Sequence, residues 1–170
     1  MSYKRVLAAL DHSSLGEDVF AEALEIAESQ KAELLLIFCL DRWEKTMPPV
    51  EAATGMGLQP MMRMYPSTTE VEMLQATQQE IETATKQAET WLSEYQTKAK
   101  NKGVNAQYKS IPSRGNPGQQ ICETAEEWNA DLTVVGRKGR TGLEEAFLGS
   151  VSNHVVHHAP CSVLVVQHES

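Results

Sequence analysis

Four short apolar runs constrain this chain most: VLAAL at 6–10, LLLIFCL at 34–40, LTVV at 132–135, and VLVV, which begins at Val163 and ends at Val166. They are too brief for buried helices and too continuous for strands with one wet face, so they read as strands covered on both sides. The segments between them carry helical periodicity. The first opens with a capping box, Ser14 with Glu17, and presents Val19, Phe20, Ala23, Leu24 and Ala27 on one face. The second, over about residues 69–102, opens with Thr69 and Glu72, carries Val71, Leu74, Ile81, Ala88, Trp91, Leu92 and Tyr95 as its stripe, and ends where Gly103 permits a left-handed turn. A weakly alternating stretch at 105–111 adds a strand. The next helix has Asn116 as cap, Pro117 in its first turn, Gln119 closing a box, and Ile121, Ala125 and Trp128 facing inward.

Strand and helix therefore alternate, which requires right-handed crossovers and helical layers on both faces of a mostly parallel sheet. The expected fold is α/β, a Rossmann-like open sandwich with a five-stranded parallel sheet in order 3-2-1-4-5. That order makes the first and fourth strands neighbours and brings Asp11 and Gly136, which end them, to one switch-point crevice. At 170 residues the chain is expected to be one domain spanning 1–170. The interruption at 41–67 has four prolines, two glycines and five methionines without sustained periodicity. It reads as a flexible insertion whose methionines could contact a protein partner.

A formal net charge of -8 opposes a broad nucleic-acid footprint. No apolar run approaches the roughly 20 residues that span a bilayer, and the start MSYKRVLAALDHSS lacks a cleavable signal, so the expectation is a cytoplasmic protein without membrane contact. Cys39, Cys122 and Cys161 are odd in number and form no CxxC, which suggests neither a disulfide framework nor a zinc knuckle.

Chemistry concentrates in VVGRKGRTGLEEAFLGSVSNHVV, residues 134–156. Gly136 and Gly139 would let backbone approach a ligand, and Gly149 with Ser150 would open a helix whose free N–H groups suit an anion. Phosphate is the natural candidate. Ser150 and Ser152 add hydroxyls, Lys138 adds charge, and Arg137 or Arg140 adds it at longer range. The Walker pattern is absent and GxGxxG does not follow the first strand, which disfavours both common nucleotide engines. On pattern alone, these glycines could also simply end a strand and cap helices.

The spacing Gly136-x2-Gly139-x9-Gly149-Ser150, after a strand ending in aspartate and before a terminal PCSVLVV, resembles the ATP-binding branch of the universal stress protein family. The similarity runs over nearly the whole chain outside 41–67. It implies that Asp11 contacts the ribose or adenine end, with Ala9 and Cys39 beside the base. Val135 and Gly136 would follow at the fourth strand's end, Lys138 and Gly139 along the triphosphate, and Gly149, Ser150, Val151 and Ser152 around the phosphates. The implied ligand is ATP, with ADP or AMP as alternatives. Asp11 could hold magnesium through water or accept a hydroxyl directly, and both readings stay open. The resemblance also implies a homodimer through Val163 to Val166, an apolar edge that otherwise invites uncontrolled pairing. The chain departs from the family at His12, where members often have glycine or phenylalanine.

The functional expectation is an ATP-binding stress-response regulator with little or slow hydrolysis, because no water-orienting base or arginine finger is evident. Two alternatives remain: a slow ATPase or phosphotransferase using Asp11 or His12 as base, and an interaction protein with a vestigial pocket acting through 41–67. His154, His157 and His158 have helical spacing but no third ligand for a metal. DHSS at 11–14 cannot form a hydrolase triad from consecutive residues. Glu70, Glu72, Glu80, Glu82, Glu89 and Glu94 read as a solvated face.

Overall fold

The computed structural model describes residues 2–40, 68–112, 115–137 and 148–167. The 41–67 insertion, Lys138, Gly139 and Arg140 lie outside the described residues, as do the side chains of Thr69 and Glu72. The elements follow in the order β1 (Arg5–Ala9), α1 (Ser14–Gln30), β2 (Glu33–Cys39), α2 (Thr68–Asn101), β3 (Ala106–Ile111), α3 (Pro117–Glu127), β4 (Leu132–Gly136), α4 (Ser150–His158) and β5 (Ser162–Val166). The strands form one parallel sheet in the order β3-β2-β1-β4-β5, as expected from the sequence.

Strand side chains alternate between faces, and here each face has its own helical cover. β1 sends Val6 and Ala8 to one side and Leu7 to the other, while β2 sends Leu34, Leu36 and Phe38 against Leu35 and Ile37. On the first face Val19, Phe20 and Ala23 of α1 join Leu92 and Tyr95 of α2. On the second, Ile121 and Ala125 of α3 join Val155 of α4. Burial on both faces is why the central runs are almost wholly apolar, with Thr133 the buried polar exception, its hydroxyl 3.2 Å from Cys161 Sγ. The edges read differently. β3 exposes Gln107 and Lys109, whereas Val163, Leu164 and Val165 of β5 are half-buried.

The topology creates the crevice. From β1 the chain moves outward through β2 to β3 with α1 and α2 on one face, then returns by α3 on the opposite face to β4, beside β1. Connections leaving β1 and β4 therefore diverge at their carboxyl ends, where such sheets take ligands.

Several terminus details were legible and two were not. Gly103 adopts φ 79 just beyond α2, and Oδ1 of Asn116 accepts from the Gly118 N–H at 2.9 Å, with Pro117 in the first turn. The Ser14–Glu17 box does not form: Ser13 is the N-cap, in extended backbone, and its hydroxyl turns back to Asp11 instead of capping the helix. Gln119 likewise closes no box, because its amide reaches forward to Glu123 at 2.8 Å. Trp128, expected to face inward, packs half-buried against the second core at the end of α3, with the Arg5 guanidinium 5.9 Å from its ring centroid.

Aromatic rings fasten α2 to the first face. Tyr95 meets Phe20 at 4.7 Å and Trp91 at 5.1 Å between centroids, and Trp91 meets Phe38 at 5.4 Å. Burial, followed by the carboxylates of Glu17 and Glu94, pushes the Tyr95 phenol above its ordinary value of 10.0. A phenol kept neutral by the fold contributes stability that is whole below the unfolded tyrosine pKa of about 10 and is lost as pH rises through the higher folded value. In an alkaline titration, Tyr95 phenolate absorbance should therefore appear above the free-tyrosine range and together with loss of helical circular dichroism. Its appearance in the free-tyrosine range, with the fold intact, would contradict this packing.

Candidate functional site

The β1 exit is built on one carboxylate. Oδ1 of Asp11 accepts from the Ser13 N–H at 3.0 Å and also from the Ser13 hydroxyl, closing the turn into α1. Gly16 then packs directly over that turn, since an added Cβ would fall 2.1 Å from the Asp11 carbonyl oxygen. Among the described residues no hydrogen bond engages Oδ2 of Asp11. The His12 ring packs beside the site, 4.7 Å from Phe38 and 4.3 Å from Trp91.

At the β4 exit, Gly136 lines the crevice and also lies under the side chain of Leu15. A Cβ there would meet Cδ2 of Leu15 at 2.8 Å, so the bare backbone makes room for α1, and Leu15 in turn lines the crevice. The Arg137 carbonyl gathers the connection: it accepts from the Gly149 N–H at 2.8 Å and from the Ser152 hydroxyl at 2.8 Å. Ser152, fully buried, also lies 3.0 Å from the Gly149 carbonyl. Its hydroxyl proton is thus committed to backbone, and its first role is to clasp β4 to α4. The Arg137 guanidinium donates to Gln167 at 2.8 Å, beyond the end of β5.

The start of α4 is the electropositive part of the site. Its first intrahelical bond runs from Asn153 N–H to the Gly149 carbonyl, so the N–H groups of Ser150, Val151 and Ser152 have no carbonyl behind them within the helix. Among the described residues no side chain caps this end, in contrast to α3, where Asn116 does so. Free amides and the positive end of the helix dipole together suit an anion.

These parts enclose a cavity of about 390 Å³, within the size range of small-molecule sites. Ala9, Asp11, Cys39, Val135, Gly136, Gly149, Ser150, Val151 and Ser152 all line it, whereas Arg137 and His12 do not. Lys138 and Gly139 lie outside the described residues. Sequence reasoning missed Leu10, Leu15, Gly16, Val19, Phe38, Pro117 and Ile121, which complete the walls. Some signal existed: Leu15 and Gly16 sit in the first turn after Asp11, and Pro117 and Ile121 share a helix face.

Other chemistry lies apart. Among the described residues no group of three His, Cys, Asp or Glu side chains could hold a metal ion. Cys122 is buried in the second core, and that burial, with Cys161 and Glu123 nearby, pushes its thiol up and keeps it neutral and unreactive. Among the described residues no helix is long and apolar enough to cross a membrane.

The model of the universal stress protein family matches residues 2–167. The chain is 33% identical over 171 residues to universal stress protein Sll1388 of Synechocystis, covering 99% of this chain and 100% of that protein. A solved UspA structure from Lactobacillus plantarum superposes with a TM-score of 0.71 at 21% identity, covering 98% of this chain and 99% of the other. A family protein from Arabidopsis thaliana, solved with AMP bound, gives a TM-score of 0.57 at 18% identity, covering 98% and 93%. At these structural identities the likeness is one of fold.

Proposed function

This chain belongs to the universal stress protein family, and from that premise we propose that its switch-point crevice binds an adenine nucleotide, with ATP as the resident ligand and regulation rather than fast turnover as the outcome. The observation that carries the reading is the uncapped start of α4, whose Ser150, Val151 and Ser152 amides open onto the same cavity as Asp11. Phosphates would sit at those amides. The base and ribose would lie toward Ala9, Asp11 and Cys39, with Oδ2 of Asp11 able to accept a sugar hydroxyl or hold magnesium through water. The AMP-bound relative supports a nucleotide in general, and the glycine spacing supports the longer phosphate chain. His12 packs against Phe38 and Trp91 and does not line the cavity, which favours a binding role over base-catalysed hydrolysis. The working unit in this reading is a cytoplasmic homodimer joined at β5, where three half-buried apolar residues lie on the sheet edge.

The test is to denature the purified protein, identify released nucleotide by mass spectrometry, and titrate the emptied protein with ATP and AMP by calorimetry. Near-stoichiometric nucleotide or micromolar binding is the expected result. Absence of both would sink the reading. Cys39 gives an independent check, because it lines the cavity. With nucleotide at about ten times its Kd, alkylation of Cys39 is expected to slow about tenfold. Buried Cys122 should react only on unfolding, with or without ligand. An unchanged Cys39 rate at saturation would place the ligand elsewhere.

A further inference from the structure

The helices that flank the crevice from the second face, α3 and α4, touch at an unusually close point. An added Cβ on Gly118 would lie 2.7 Å from the Cβ of His154, so His154 is seated on the first turn of α3. Pro117 and Ile121 of that same helix line the cavity, and α4 begins with the anion-facing amides. The seam between them therefore sets how the two cavity walls stand relative to each other.

Its hydrogen bonds are compatible with one neutral tautomer of His154. Oδ1 of Asn116 accepts from the Gly118 N–H, which fixes the amide orientation, because Nδ2 cannot accept there. Nδ2 is left facing Nδ1 of His154 at 3.4 Å. An amide nitrogen only donates, so this contact is a hydrogen bond only when that ring nitrogen carries a lone pair, which in the neutral ring puts the proton on Nε2. His158 takes the opposite tautomer, with its Nδ1 donating to the His154 carbonyl at 2.9 Å. The two rings stack at 4.2 Å with 15° between planes.

We propose that His154 is a positioning residue for the crevice, joining the starts of α3 and α4 only in its neutral form, so that acidification loosens the nucleotide site; this rests on the nucleotide reading above. Protonation would turn an N–H toward the Asn116 amide donors and remove the acceptor that closes the seam. When His158 is charged as well, two cations are stacked. The titratable groups that the packed elements bring to this region are His157 and His158 on α4, Cys122 and Glu123 on α3, and Cys161 at the head of β5. Glu123 accepts from Gln119, Cys122 is held neutral by burial, and among the described residues no carboxylate forms an ion pair with His154.

Two measurements test this between about pH 8 and pH 5, where imidazoles exchange protons. Ring nitrogen shifts of labelled protein should show His154 with its proton on Nε2 at the upper end, and the Gly118 amide resonance should move as His154 titrates. The other tautomer, or an indifferent Gly118, overturns the proposal. Calorimetry with AMP then compares the intact protein with His154→Gln, whose carbonyl accepts but does not titrate. The intact protein is expected to lose roughly threefold to tenfold more affinity over that range than the variant. Parallel losses overturn it. Asn116→Asp keeps a cap oxygen for Gly118 and offers His154 an acceptor, so it should reverse the trend, and affinity that falls as in the intact protein again overturns it. If no nucleotide binds at any pH, the functional reading fails, while the ring shifts and the Gly118 amide still decide the seam.

Discussion

Gly16→Ala is expected to destabilise the protein by about 3 kcal/mol and to weaken nucleotide binding along with it. The added methyl carbon would fall 2.1 Å from the Asp11 carbonyl oxygen and 3.1 Å from its carbon, and those neighbours are backbone, which cannot rotate away. Relief requires opening the turn between β1 and α1. That turn is held by Ser13 on the Asp11 carboxylate and by the Leu10 N–H on the Ile37 carbonyl at 2.9 Å. For a chain of this size the melting temperature should fall by roughly 6 to 12 °C. Affinity falls with it because the displaced group is the crevice carboxylate. A variant that melts with the parent and binds nucleotide equally would show that the turn is not as tight as described.

Leu92→Ala should cost a similar amount, about 3 kcal/mol, with a different signature. Leu92 is fully buried at the centre of the α2 stripe, between Ala88 and Tyr95. Its loss leaves a cavity under Trp91 and Tyr95, the rings that fasten this helix to the sheet. Yet among the described residues α2 contributes none to the crevice lining, so nucleotide affinity measured below the transition should hardly change. The denaturant midpoint should drop while its slope stays constant. A loss under about 1 kcal/mol would mean that α2 is held by something other than this stripe.

The contrast between the two substitutions shows what the sequence made legible. Leu92 was visible at once, because a helical stripe repeats and its burial follows from period alone. The strands were legible for a related reason, since double-sided burial made 6–10, 34–40 and 132–135 continuous runs; their order, one of several open to five strands, is the expected 3-2-1-4-5 and brings the ends at Asp11 and Gly136 together. Gly16 carried no such pattern. Its requirement comes from a backbone oxygen five residues earlier folding over it, a closeness that no spacing rule encodes. Gly136 was found at the crevice, but its second neighbour Leu15 was not, because a missing Cβ looks the same in sequence whatever fills the room. Ser13 displaced Ser14 as cap because Asp11 lay within reach of its hydroxyl, and competition among adjacent polar residues is settled by geometry. Gly118 and His154 form a contact between two helices, and neither residue announces its partner.

At the rim opposite the crevice, Asp131 accepts from the N–H groups of Lys4 and Arg5 at 2.8 and 2.9 Å, donates its own N–H to the Arg5 carbonyl, and accepts from the Ser162 N–H at its carbonyl. One residue thereby fixes the starting line of β1, β4 and β5. Since each strand residue advances about 3.3 Å, the five residues of β4 set Gly136 roughly 17 Å from that line, like a rule read from its zero mark. The depth of the crevice floor is therefore a matter of counting. Lengthening β4 by one residue would leave the zero in place and push the floor outward, reversing which face each later side chain meets.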